Sequence, residues 1–275
     1  MTVSSTPPPA VADAQHADTA DTYAAYFAFR DRLLGELRTT VLGDAELREA
    51  GSLIYGDPER FALYGIPAPR MAAAGVRLLG RTTIECCIDA FTAPVADALA
   101  GIQATAHPAG QEDGQPFVAD LFCGSGNFGH HLGRRLGFPA YASELDPAVY
   151  EATRNNFDRI GSTIELVQCD YRDLLGKLTP RSPRDTYAVE PPWGPAFTPA
   201  GLDLTRTSPP VPDIVDAIRR SRGGMPCYVA VKTNDQLAHD SLARSFAGAH
   251  HLRSVTPPPS LPHGANMDFH LYLLD

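Results

Sequence analysis

Residues 118–129 read Val-Ala-Asp-Leu-Phe-Cys-Gly-Ser-Gly-Asn-Phe-Gly, and no other stretch constrains the fold as strongly. An apolar run from Val118 to Phe122, broken only by Asp120, leads into Gly124, Gly126 and Gly129 in G-x-G-x-x-G spacing. A short apolar run followed by such a turn predicts a buried strand, a tight reversal and a helix start. Glycine lets the backbone turn sharply and approach a ligand, and the helix start adds free N–H groups.

This spacing alone suggests a dinucleotide. Asp120, four residues before the first glycine, argues otherwise, because a carboxylate beside a pyrophosphate repels it. It suits a ligand that brings a cation to that point. S-adenosylmethionine carries both an ammonium and a sulfonium.

After this turn, strand-like and helix-like segments alternate. Strands are expected near 117–122, 139–143, 164–168, 185–189, 226–231, 251–255 and 267–274. Helices are expected near 127–136, 147–158, 211–221 and 234–246. Alternation of this kind implies a mostly parallel sheet covered on both faces. Between the last two strands, Pro257-Pro258-Pro259 and His263-Gly264 make a loop, so that pair is expected to be an antiparallel hairpin.

The region before the turn differs in character. Residues 1–20 are rich in Ala, Thr, Ser and Pro and read as a disordered tail. Asp21 to Leu42 carries apolar residues at helical spacing, and Arg70 to Leu79 and Thr82 to Leu99 also read as helical. Gly51 to Pro69 is broken by Gly and Pro and holds Tyr55, Phe61 and Tyr64. The expected division is a tail over 1–20, a helical cap over 21–105, a linker over 106–115 and an α/β domain over 116–275.

D-x-F-x-G-x-G, here Asp120 to Gly126, resembles the first motif of the class I S-adenosylmethionine (SAM)-dependent methyltransferases, and the resemblance runs from Phe117 to Leu274. It implies a Rossmann-like seven-stranded sheet ending in an antiparallel hairpin, SAM as cofactor and an EC 2.1.1 activity. Ligands in such sheets lie beyond the C-terminal ends of the strands. Glu144 stands at such an end, where a carboxylate accepts both ribose hydroxyls, and the following Asp146-Pro147 suits a helix start. Asp170 stands where the family's third motif places an acid for the adenine amino group, with Cys169 and Tyr171 beside it; an N-cap is its other reading. Asp120, Phe122, Gly124, Gly126 and Asn127 complete the cofactor set implied by the resemblance, with Asp120 either near the methionine ammonium or capping the turn alone.

Glu190-Pro-Pro-Trp193-Gly-Pro resembles the fourth motif of amino-group methyltransferases, and its wording is similar to the S-P-P-W-G-G-P of cap trimethylguanosine synthases. Successive prolines fix φ and remove N–H donors, which holds the polar residue and the aromatic in place. This sequence departs from the motif in carrying Glu at position 190, which can orient an acceptor, balance a cation or act as base. Trp193 and Phe197 are expected to wall the acceptor site, and Tyr55 and Tyr64 of the cap are candidate substrate contacts, each also readable as core. Lys232 is a further candidate. His130 and His131 open the helix after the glycine turn without metal spacing.

Net charge is −9, so no general electrostatic pull on nucleic acid operates. A small-molecule acceptor in biosynthesis is therefore the first reading. A nucleobase exocyclic amine on RNA or DNA is the second. Methylation of an alkene such as an isoprenoid diphosphate is the third, with phosphate held by Arg70, Arg77 or Arg81. The five cysteines show no disulfide or metal spacing, and neither a membrane span nor a signal peptide is evident, which suggests a cytoplasmic protein. No metal is expected, and oligomeric state is open.

Overall fold

In the computed structural model, residues 12–108, 114–258 and 266–275 are described, with side chains from residue 23 onward. Part of the tail expected over 1–20 and part of the linker expected over 106–115 lie outside the described residues.

Seven strands form one sheet: β1 (Val118–Asp120), β2 (Ala140–Glu144), β3 (Glu165–Gln168), β4 (Thr186–Val189), β5 (Cys227–Asn234), β6 (His250–Val255) and β7 (Met267–Leu274). Their spatial order is β6-β7-β5-β4-β1-β2-β3. The first five run parallel. β7 lies antiparallel to both β5 and β6. This is the Rossmann-like sheet with a terminal antiparallel pair that the sequence implies. Strand order reverses direction between β1 and β4, the point at which sheets of this kind place their ligand crevice, beyond the carboxyl ends of the two strands.

Ten α-helices are described: α1 (Ala12–Leu34), α2 (Asp44–Tyr55), α3 (Ala68–Met71), α4 (Gly80–Glu85), α5 (Asp89–Ala106), α6 (Asn127–Leu136), α7 (Pro147–Ile160), α8 (Tyr171–Lys177), α9 (Val211–Arg222) and α10 (Ser241–Ser245). None is long and apolar enough to cross a membrane. Alternation along each strand sends side chains to opposite faces. Ala119, Tyr187, Val189 and Val229 face a core shared with α8 and α9. Val118, Ala188, Ala230 and Phe269 face the other core. That second core is continuous with Phe29, Leu33, Leu47, Tyr55, Phe61 and Phe91 of the N-terminal helices, so these helices cover one face of the sheet.

Four helix expectations need correction. The segment expected over 21–42 starts at Ala12, within the expected tail, and ends at Leu34, before Gly35. The segment expected over 234–246 is helical only from Ser241, because Gln236 and Ala238 bond to Leu202 of a small hairpin instead. The segment expected over 70–79 stops at Met71; Gly75 turns at φ 74° and the backbone of Arg77 is held by the Asn156 amide at 2.7 and 2.8 Å. The expected helix over 82–99 is broken at Cys86–Ile88, where the chain is extended between α4 and α5.

Candidate cofactor and transfer site

The glycine turn follows β1 as expected. Gly124 and Gly126 sit at φ 50° and 76°, a region that other residues enter only with strain. A Cβ on Gly126 would collide with Phe157, whereas one on Gly124 would meet nothing within 4 Å. The turn therefore packs on α7 through its second glycine and presents an open side at its first.

Glu144 reaches this turn directly, and Asp120, Asp146 and Asp170 stand at or just beyond the carboxyl ends of β1, β2 and β3. Glu144 ends β2 and accepts the Gly124 N–H at 3.1 Å and the Asp146 N–H at 2.8 Å. Burial raises its pKa, partly offset by those N–H groups and by Arg81. Asp146 caps α7 through the N–H groups of Ala148 and Val149 at 2.9 and 3.2 Å, and pairs with Arg81 at 2.7 Å. Asp120 is 2% exposed and accepts the Gly129 N–H at 2.9 Å, so its capping role is present. Burial, followed by the charge of Glu190, pushes its carboxyl up to about 7. Asp170 caps α8 through the Arg172 N–H at 2.8 Å. Tyr171 is buried with its ring 5.0 Å from Phe122 and its hydroxyl unpartnered.

Glu190 follows β4, and the register explains its neighbour. Val189 pairs with Val231, so the next residues, Glu190 and Lys232, emerge side by side. The Lys232 ammonium pairs with one Glu190 oxygen and also donates to the Glu85 carbonyl at 2.9 Å. The Cys87 thiol donates to the other Glu190 oxygen at 3.0 Å. Burial works against the ammonium, but the Glu190 carboxylate beside it raises its pKa, so Lys232 is charged. It also lies 5.7 Å from the centroid of the half-buried Trp193 ring, a cation–π distance. Trp193 and Phe197 are 6.3 Å apart, and Phe197 is 44% exposed, so these two form an open aromatic wall.

Tyr55 and Tyr64, the candidate substrate contacts of the N-terminal region, each have partners of their own. Tyr55 stacks on Phe61 at 4.7 Å and donates to the Thr83 carbonyl at 2.8 Å, behind Cys86. Tyr64 donates its hydroxyl to the Ser125 carbonyl, and its backbone N–H reaches the Asn127 side chain at 2.9 Å. Asn127 is fully buried and also donates to the Cys87 carbonyl and to Asp89 at 2.7 and 3.0 Å. Its amide thus ties the cap to the glycine turn. His131 joins this junction through Asp89 at 2.8 Å, and His130 packs edge-on to Tyr64, its pKa lowered to about 4 by burial.

Cys87 is a site residue that the sequence reading did not assign, and Arg81, read there as a candidate phosphate ligand, pairs with Asp146. The break between α4 and α5 brings Cys87 to Glu190, and nothing in Cys86-Cys87-Ile88 marks it. Among the described residues no cluster of His, Cys, Asp or Glu is arranged to hold a metal ion.

No family model matches the sequence, and no curated protein matches it. Several solved structures are similar. A putative methyltransferase, yhhF, from Escherichia coli shares 17% identity over 68% of this chain and 89% of its own, with a TM-score of 0.40. Precorrin-6y C5,15-methyltransferase from Geobacter metallireducens shares 13% over 66% and 87%, at 0.43. TrmN from Thermus thermophilus shares 19% over 76% of this chain and 54% of its own, at 0.44.

Proposed function

We propose that this chain is a SAM-dependent methyltransferase acting on a small-molecule acceptor. The observation that carries this reading is the flanking of the β1/β4 crevice. On one side stands the open glycine turn with Glu144, and on the other stands Glu190 with its aromatic wall. A ligand with a sugar diol at one end and a cation in the middle matches that layout.

SAM, when bound, supplies a methyl group already activated by positive sulfur. In this reading Asp120 to Gly126 receive the methionine end, Glu144 accepts the ribose hydroxyls, and Phe122, Asp170 and Tyr171 lie toward the adenine. Trp193 and Phe197 keep water from the transfer path and present the acceptor in line with the methyl group. Glu190, with one oxygen on Lys232 and the other on Cys87, is held ready to orient the acceptor through its remaining lone pairs. Proton removal by Glu190 is the stronger form of the same role.

The open Trp193–Phe197 pair also favours a second reading, a nucleobase amine stacked on those rings. The alkene reading is less well supported, because Arg81 is already paired with Asp146 and Glu85.

Calorimetry with S-adenosylhomocysteine tests the cofactor assignment. The wild-type protein is expected to bind, and Glu144→Ala to lose about 1.5–3 kcal/mol, the size of a charge-assisted hydrogen-bond pair. Failure of the wild type to bind overturns the reading. With an acceptor in hand, Glu190→Gln should bind SAM normally and lose roughly 10²–10⁴ in turnover if Glu190 is the base. Full activity would leave it a hydrogen-bonding role only.

A further inference from the structure

Helix α4 is a single short helix whose two ends reach the two halves of the site. At its start, Arg81 pairs with Asp146 beside the ribose carboxylate. At its end Glu85, and two residues further on Cys87, meet Lys232 and Glu190.

The turn Glu144–Leu145–Asp146 has no apolar anchor, since Leu145 is 65% exposed. Polar links fix the turn itself, while Val149 and Ala152 in the first turns of α7 pack against Leu79. Glu144 is aimed by two N–H groups, one of which belongs to Asp146. Where Asp146 sits therefore decides where the Glu144 carboxylate points. Asp146 in turn is held from two sides: one oxygen caps α7, and the other takes the Arg81 guanidinium at 2.7 Å.

Arg81 is a stiff post for this purpose. Its side chain is 18% exposed and is flanked by Glu85 at 3.6 Å. Its backbone N–H bonds to the Arg38 carbonyl at 3.3 Å. The preceding Gly80 lies so close to α1 and the turn after it that a Cβ there would collide with the Leu37 and Leu33 carbonyls. The post is thus built into the N-terminal helices, and the residue it steadies belongs to the sheet.

We propose that Arg81 is a positioning residue for cofactor binding, acting through Asp146 on the ribose carboxylate Glu144. The proposal rests on the assignment of Glu144 to the ribose made above. Through it the N-terminal helices contribute to cofactor affinity without touching the cofactor.

The test is a double-mutant cycle read by S-adenosylhomocysteine affinity, with thermal unfolding to monitor the fold. Arg81→Met should weaken binding roughly tenfold, within the range for residues that share one hydrogen-bond network. In a Glu144→Ala background the same substitution should cost nothing further. Arg81→Lys, which keeps a charge and one donor for Asp146, should recover most of the affinity. Asp146→Asn breaks the pair from the other side, keeps an oxygen for the helix cap, and serves if Arg81→Met does not fold. Failure of the wild type to bind would overturn the cofactor reading itself. Wild-type binding with undiminished affinity in Arg81→Met or Asp146→Asn would overturn only the positioning role. So would an equal loss from Arg81→Met with and without Glu144.

Discussion

The Lys232 ammonium and the Glu190 carboxylate meet in an ion pair at the carboxyl ends of neighbouring strands, under the Trp193 ring. Their side chains are 7% and 16% exposed, so neither charge is well hydrated. A charge in that position needs its partner.

Lys232→Met should therefore destabilise the fold by about 3 kcal/mol, the low end for breaking a buried pair, because Glu190 keeps some solvent contact. Lys232→Met combined with Glu190→Gln should regain most of that loss, since no unpaired charge remains. Urea denaturation of the singles and the double measures it. A double variant as unstable as the lysine variant alone would show that the pairing is not what Lys232 contributes.

Asp120 gives a pH prediction. An unfolded aspartate titrates near 3.9, whereas burial and the charge of Glu190 push Asp120 up to about 7. Between those values the folded chain holds a proton that the unfolded chain has released. The stability tied to this group is complete below about pH 4 and is lost as pH rises to about 7. Asp120→Asn removes that loss. The stability difference, variant minus wild type, should climb by about 1.4 kcal/mol per pH unit across that window. Chemical denaturation at pH 5, 6 and 7 checks it, and a difference that does not vary with pH rejects it. By the same linkage, a cofactor ammonium beside Asp120 should drive this proton off on binding near pH 6.

The sheet was legible because its signals are local. Strands of apolar residues punctuated by Gly, Pro and Asp announce themselves, and all seven expected strands are present. The glycine turn and the strand-end acids follow from the same punctuation. The N-terminal region was less legible because its form is set by distant contacts. Asn156 extends the backbone of Arg77, and Asn127 binds the Cys87 carbonyl in the break between α4 and α5. Neither asparagine has a local pattern that reveals its partner some eighty or forty residues away. The pairing of Glu190 with Lys232 could have been found, since parallel register between β4 and β5 sets them side by side.

Asn127 supports a prediction about the junction it makes. Its amide has three partners: the Tyr64 N–H, the Cys87 carbonyl and Asp89. Asn127→Ala strands a buried donor and a buried acceptor, each costing about 1–3 kcal/mol, for a total of roughly 2–4 kcal/mol after relaxation. Thermal and urea unfolding measure the loss; a change under 1 kcal/mol, about the worth of one ordinary hydrogen bond, would exclude this role. Such point variants probe the cap more cleanly than deleting residues 1–105. That deletion uncovers the sheet face on which Phe29, Leu33 and Phe91 share a core with Val118 and Ala230.

A control comes from the opposite end of the sheet. Arg222 and Asp185 form a buried ion pair at 2% and 0% exposure just before β4 begins. Asp185 also accepts the N–H groups of Phe117, Arg181 and Ser182 at 3.1, 2.8 and 3.2 Å, and Arg222 reaches the Ser182 and Pro226 carbonyls at 2.8 Å. Arg222→Met leaves a carboxylate without its cation in the interior and should cost about 3–5 kcal/mol of stability. The pair lies at the amino ends of β1, β4 and β5, whose carboxyl ends lead to the glycine turn, Glu190 and Lys232. Under conditions where the variant stays folded, its affinity for S-adenosylhomocysteine should match the wild type. Arg81→Met should show the reverse balance, with affinity falling more than stability. Affinity loss in Arg222→Met as large as in Arg81→Met would mean that general loosening of the fold, and not the turn carrying Glu144, governs binding.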